Sequence, residues 1–196
     1  MTLAIDIGVA TPAERLANVS ADAMLVSHIH GDHCSAPHIA ALAPATVYTG
    51  AECIEALAPD LAEQSFIELK ADETVTIGDL TVTVFAVDHG PNAPKVPAQN
   101  FGFLITEPKT GESLYFAGDM YSPSGIAVTD LSVTYACLPV GGHYTFGHEA
   151  AFVFAKQFAR IDEVIPVHYE DFPHINATGA EDFKQLAAGE FTVQIL

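Results

Sequence analysis

The sequence predicts an α/β fold in which two mixed β-sheets pack face to face with helices on the outside. Three observations predict it. Short apolar runs alternate with helical segments near both ends of the chain, over residues 2–57 and 132–195, the signature of strand–helix units. Between them, residues 74–117 read as two hairpins. Hydrophobic residues make up 49% of the chain and charged residues 16%, a composition that forms a core rather than a disordered coil. The 196 residues fit one domain, 1–196, with no internal repeat, low-complexity tract or linker.

Each element has a local reason. Thr2 to Ile7 reads as a strand ended by Gly8, and Thr11 to Val19 as a short helix with Thr11 capping and Pro12 in its first turn. Ala23 to Val26 is a short buried strand, and a helix follows at Pro37 to Leu42 behind Ser35. Thr46 to Thr49 is a strand, and Ala51 to Leu57 a helix stopped before Pro59. The β-branched runs Thr74–Ile77 and Leu80–Val87 flank Gly78-Asp79, a hairpin turn. Phe101–Thr106 and Ser113–Ala117 make a second hairpin, and Pro91 to Pro97 a surface loop. Strands at Ser132–Leu138, Glu163–Val167 and Phe191–Ile195 then alternate with helices at Gly147–Phe158 and Ala180–Leu186.

Between the strand at Ala23–Val26 and the helix behind Ser35 lies Ser27-His28-Ile29-His30-Gly31-Asp32-His33. Residues two apart on an extended backbone project to one side, so His28 and His30 converge on one ion. Gly31 lets the chain turn, and Asp32 and His33 face a second position close by. Imidazole with carboxylate suits zinc best, with manganese and iron as alternatives. A polar loop without metal would leave a buried Asp unpaired among three His, which is costly. Three more ligand types sit where later strands run out: His89 after Leu80–Val87, Asp119 after Leu114–Ala117, and His168 after Val164–Val167. Singly, each is an ordinary strand-end residue; together they extend the first motif to a two-ion set.

The order H-x-H-x-D-H, then His, Gly-Asp and His resembles the metallo-β-lactamase superfamily over nearly the whole chain. The run Leu138-Pro139-Val140-Gly141-Gly142-His143-Tyr144-Thr145-Phe146-Gly147, with Val164 to Tyr169, is similar to small metal-dependent hydrolases related to ascorbate-6-phosphate lactonase. The resemblance implies an αββα sandwich with a binuclear site at one edge. His28, His30 and His89 would hold one ion, Asp32, His33 and His168 the other, and Asp119 would bridge both. It also implies an N-terminally shortened fold, since family members usually carry a strand pair before the one that ends near Asp6. The first sheet is then short of an edge strand, which a neighbouring subunit in a homo-oligomer could cover. Asp119 stands where the β-lactamases of the family commonly carry Cys, which speaks against antibiotic hydrolysis. The tail is too short for the helical substrate domain of glyoxalase II-like thioesterases.

The chemistry expected is hydrolysis of a small ester, lactone or phosphoester by a metal-bridging hydroxide, with two ions roughly 3.5–4 Å apart. Asp32 would orient the nucleophile. His143, on a Gly-rich loop, is a candidate proton donor to the leaving group, or an ordinary loop histidine. Asp6 either supports a ligand or simply ends its strand. A net charge of −18, from 25 acidic against 7 basic residues, opposes nucleic-acid binding and with it an RNA-processing nuclease of the same superfamily. A di-iron redox protein and a catalytically silent metal-binding module are the remaining alternatives. No run approaches a membrane span, the start lacks a basic leader, and Cys34, Cys53 and Cys137 form no paired pattern. A cytoplasmic protein acting on a small molecule is the expectation.

Overall fold

The structure, a computed structural model, describes residues 1–123, 126–169 and 174–196. Its first half supplies β1 (Leu3–Ile5), α1 (Ala13–Leu16), β2 (Ala23–Leu25), α2 (Ala36–Leu42), β3 (Thr46–Thr49), α3 (Ala51–Leu57) and β4 (Ser65–Glu68). These strands form one sheet in the order β1-β2-β3-β4, parallel throughout. Each of its first three connections passes through a helix or a long turn, which returns the chain to the same end before the next strand.

The remainder supplies β5 (Thr74–Ile77), β6 (Leu80–Ala86), β7 (Phe101–Thr106), β8 (Ser113–Phe116), β9 (Ser132–Pro139), α4 (His148–Ala155), β10 (Arg160–Val167), α5 (Gly179–Leu186) and β11 (Thr192–Val193). They form a second sheet in the order β11-β10-β9-β8-β7-β6-β5. The mixture of directions lies here: β5 to β8 pair antiparallel and β8 to β11 parallel.

Alternation along the strands builds the layers. In β2, Leu25 faces Phe103, Val82 and Val84 between the sheets, while Met24 faces Ile39, Leu42 and Leu57 of the helices outside. The second sheet repeats the pattern outward, with Tyr115, Ala136 and Val164 against Phe154 and Phe183. Leu25, Phe103 and Phe154 are fully buried, each contributing roughly 1.5–3 kcal/mol by leaving water.

The sequence expectation misses β4, which pairs with β3. Its residues Ser65, Phe66, Ile67 and Glu68 are mostly exposed, so no buried face writes an alternation into the sequence. Two helices are shorter than expected, α1 being Ala13–Leu16 and α4 His148–Ala155. Ser35 does precede α2, but its Oγ pairs with His38 Nδ1 at 2.7 Å rather than capping the helix backbone.

Strand direction places the site. β6 and β8 are both antiparallel to β7, so they run the same way, and β10 is parallel to β8 through β9. The C-terminal ends of β6, β8 and β10 therefore open onto one edge, where β2 of the other sheet also ends.

Candidate metal centre

Those four strand ends bring together every ligand expected from the sequence. His28, His30, His89 and Asp119 form one group, and Asp32, His33, Asp119 and His168 a second, with ligand atoms in each group within 4.8 Å of one another. Asp119 belongs to both. Its approach depends on Gly118, which has φ +57° and an α-carbon so close to Phe101 O that a Cβ would lie 2.4 Å from it. Only glycine fits that left-handed, crowded turn.

The donor spacing fits ions. Tetrahedral ligands at about 2.0–2.1 Å from zinc stand roughly 3.3–3.4 Å apart. In the first group, His28 Nε2 lies 3.0 Å from His30 Nδ1, and His89 Nε2 and His28 Nε2 lie 3.3 and 3.8 Å from Asp119 Oδ2. In the second, His33 Nε2 lies 3.1 Å from Asp32 Oδ2 and 3.2 Å from Asp119 Oδ1. His168 Nε2 lies 3.4 Å from Asp119 Oδ2 and 3.7 Å from Asp32 Oδ2. His33 Nε2 and His89 Nε2 are buried without an aligned hydrogen bond, an expensive state that a cation relieves.

The other ring nitrogens complete the argument. His28 Nδ1 pairs with Ser27 Oγ at 2.9 Å, and Ser27 Oγ donates to Asp6 Oδ2 at 2.6 Å. His33 Nδ1 donates to Asp6 Oδ2 at 2.8 Å, His30 Nε2 to Lys95 O at 2.7 Å, and His89 Nδ1 to Gly90 O at 3.2 Å. A proton fixed on the outer nitrogen leaves the inner one as a lone-pair donor. Asp6 also accepts the Ser27 N–H at 2.7 Å and adopts φ 47°. It is at once the turn that ends β1 and the support of two ligands.

Electrostatics sort the imidazoles. Burial, with the positive neighbour His33, holds His28 well below its ordinary value, so it is neutral. Burial pulls His33 the same way, but Asp119 and Asp6 outweigh it and raise the group well above normal. His168 likewise rises against its burial to about 9, held by Asp119. Burial would raise Asp32 and Asp119, yet contacts with His168 and His33 keep both carboxyls ionised. Without metal, His33 and His168 of the second group thus hold a proton that His28 of the first does not.

Next to the ligands lies a cavity of about 310 Å³, whose wall includes Ala93, Pro94, Lys95 and Tyr144. Tyr144 arrives because its carbonyl accepts the Gly90 N–H at 3.1 Å, tying residues 141–147 to the loop that carries His89. A Cβ on Gly90 would lie 2.1 Å from Tyr144 O, so that docking needs glycine. His143, the expected donor, packs against Tyr144 and His174 at ring distances of 4.5 and 5.2 Å, and its carbonyl accepts from Asn92 Nδ2 at 2.8 Å. The wall of the cavity is formed by its neighbour Tyr144 instead. Sequence reasoning passed over Tyr144, although it lies within the Gly-rich run already singled out.

The sequence pattern of the β-lactamase superfamily domain matches residues 1–168. A UPF0173 metal-dependent hydrolase from Myxococcus xanthus is 33% identical over 166 residues, covering 80% of this chain and only 58% of that protein's length. One from Pyrococcus furiosus is 30% identical over 189 residues, covering 90% of this chain and 79% of the relative. Igni18, a metallo hydrolase from Ignicoccus hospitalis, superposes with a TM-score of 0.78 at 24% identity, covering 99% of this chain and 86% of that one. CmlA, a diiron β-hydroxylase from Streptomyces venezuelae, superposes at 0.72 with 14% identity over 90% of this chain and 44% of its own. At such identities the superpositions speak for the fold. With the profile spanning most of the chain and the Pyrococcus relative matched over most of its length, the chain belongs to the metallo-β-lactamase superfamily and, within it, to the UPF0173 metal-dependent hydrolases.

Proposed function

We propose that this protein is a binuclear metal-dependent hydrolase that uses water to cleave a small ester, lactone or phosphoester. The observation that carries the reading is the sharing of Asp119 between two ligand groups. Zinc suits the imidazole and carboxylate donors best, and manganese or iron also fit them. Two such cations, when bound, lower the pKa of water toward neutrality and polarise the oxygen of the bond to be cut.

The chain's own residues supply the rest. The hydrogen bonds from His28 through Ser27 to Asp6, and from His33 to Asp6, fix which nitrogen each ring presents. Asp32, at the cavity surface, accepts a proton of the attacking water and so orients its lone pair. Tyr144, a cavity-wall donor outside the ligand groups, delivers a proton to the leaving oxygen, with His143 behind it holding the ring edge-on. Small molecules are the substrates; the −18 charge opposes RNA and the nuclease reading.

The experiment is chelation and reconstitution with p-nitrophenyl esters and bis(p-nitrophenyl) phosphate as probes. Chelator removes the activity and zinc or manganese restores it, while His28→Ala lowers kcat by about a hundredfold or more. Tyr144→Phe loses about tenfold or more on alkyl leaving groups and little on nitrophenolate, which needs no proton. His28→Ala turning over as fast as wild type would contradict the proposal.

A further inference from the structure

Asp32, Asp119 and His168 line the cavity described above and also a second groove, of about 460 Å³, in which His33 joins them. The ligand cluster thus borders two spaces. Tyr144 stands in the wall of the first, and Arg15 in the wall of the second. Lys95, Lys109, Lys156 and Arg160 are each paired with a carboxylate. Arg15 has no such partner among the described residues, and it is the one Lys or Arg among them that lines this groove.

The local sequence holds Arg15 there. Gly8 rests its backbone on Asp32, so closely that a Cβ would lie 2.0 Å from the Asp32 carbonyl carbon. The Val9 N–H donates to Gly31 O and the Thr11 N–H to Gly8 O, both at 2.8 Å. The turn after β1 is therefore bound to the loop that carries Asp32 and His33. In α1, which follows, Leu16 is buried in one cluster with Met24, Ile39 and Leu42, while Arg15 stays exposed. Neighbouring helical residues point roughly 100° apart, so anchoring Leu16 leaves the Arg15 guanidinium free.

Three carboxylates also line the groove, and each is already committed. Asp6 accepts from Ser27 and His33, and Asp32 and Asp119 belong to the ligand groups. Two divalent ions, when bound, outweigh the charges of Asp32 and Asp119 and make the site attractive to an anion at short range. The −18 charge of the chain opposes polyanions, but screening over about 8 Å keeps it from excluding a single charge.

We propose that Arg15 sets specificity by binding a carboxylate on the acid side of the substrate, while the ligand groups hold the bond to be cut. The observation that carries it is an unpaired guanidinium in a groove that Asp32, His33, Asp119 and His168 also line. A guanidinium offers a carboxylate two parallel N–H···O bonds. One such fork suits one carboxylate. With Tyr144 in the other space, the leaving oxygen departs toward the cavity and the acid part lies toward the groove. The inference rests on the hydrolase reading above and narrows its substrate to an ester or lactone that bears a carboxylate.

The test compares mono-p-nitrophenyl glutarate with p-nitrophenyl pentanoate, and mono-p-nitrophenyl adipate with p-nitrophenyl hexanoate, on the metal-loaded protein. Each pair shares its chain length and differs by the terminal carboxylate. The expected kcat/KM is about tenfold or more higher for the charged ester in at least one pair, chiefly through KM. Arg15→Ala brings that ratio to about one, Arg15→Lys keeps part of it, and Arg15→Glu inverts it. Calorimetry, which needs no turnover, shows glutarate or adipate binding the loaded protein more tightly than hexanoate, and Arg15→Ala loses that preference. No preference in either pair, or a preference that survives in Arg15→Ala, overturns the anchor and leaves the hydrolase reading standing. A loaded protein that cleaves none of the esters and binds none of the acids overturns both.

Discussion

Asp6 accepts three hydrogen bonds, from the Ser27 backbone, the Ser27 hydroxyl and His33. It thereby orients His28 of one ligand group and His33 of the other without itself belonging to either group. Asp6→Asn keeps the size of the side chain but replaces one acceptor with a donor. We expect metal affinity to fall about 10- to 100-fold, measured by competition with a coloured chelator; unchanged affinity would deny Asp6 this role. The ligands themselves were legible in the sequence because four of them crowd into residues 28–33, where the period of an extended backbone decides which converge. The role of Asp6 was legible only as one of two options, since its partners lie 21 and 27 residues away. The place of Tyr144 in the wall was not legible at all. It depends on the backbone contact of Tyr144 with Gly90, a meeting of two loops that no local pattern encodes.

Strand ends carry the remaining ligands, and the turns behind those ends are as demanding as the ligands. Gly118 holds a positive φ of 57° with Phe101 O across from it, directly before Asp119. Gly118→Ala should lower stability by about 1–3 kcal/mol and weaken binding of both ions together, because Asp119 is common to them. Urea unfolding and chelator competition on the same variant check this; loss of one ion alone would contradict the sharing. The strands β3, β5 and β7 could be read from β-branched runs and turn residues down to their limits, and β6 to within one residue, since it ends at Ala86 rather than Val87. β4 could not, because four largely exposed residues become a strand only once β3 offers its edge. Similarly, the order of seven strands in the second sheet follows from long-range pairing, although the edge that gathers the ligands follows once strand directions are known.

At the scale of the molecule, metal and fold are linked through protons. In the metal-free protein, burial works against a charge on His33 and His168, but the carboxylates of Asp119 and its neighbours retain their protons, to about 9 for His168. An unfolded His loses its proton near 6.5. The stability that His168 contributes is therefore full below about 6.5 and is lost as pH rises toward about 9, and that of His33, raised in the same direction, is also lost on the alkaline side. His28, kept neutral by burial, takes up its proton only when unfolded, so it works the other way and removes stability as pH falls through about 6.5. Chelator-treated protein should thus lose stability between pH 6.5 and 9, measured by chemical unfolding. The metal-loaded protein should not, since ligation has already displaced the protons. Bound ions also stabilise by mass action, about 2.7 kcal/mol for a site at a hundredfold excess over its Kd. The acidic balance of 25 against 7 favours cations over polyanions at long range, in keeping with a cluster of metal-ligand side chains.

The claim on which everything else depends is that Asp119 joins two groups of ligands into one binuclear centre. The most direct measurement is the number of ions per chain, by elemental analysis of protein grown with zinc, manganese and iron and then desalted. Wild-type protein should carry about two per chain, and Asp119→Ala should lose both together. A wild-type protein that retains none under those conditions, or an Asp119→Ala protein that retains both, would contradict it.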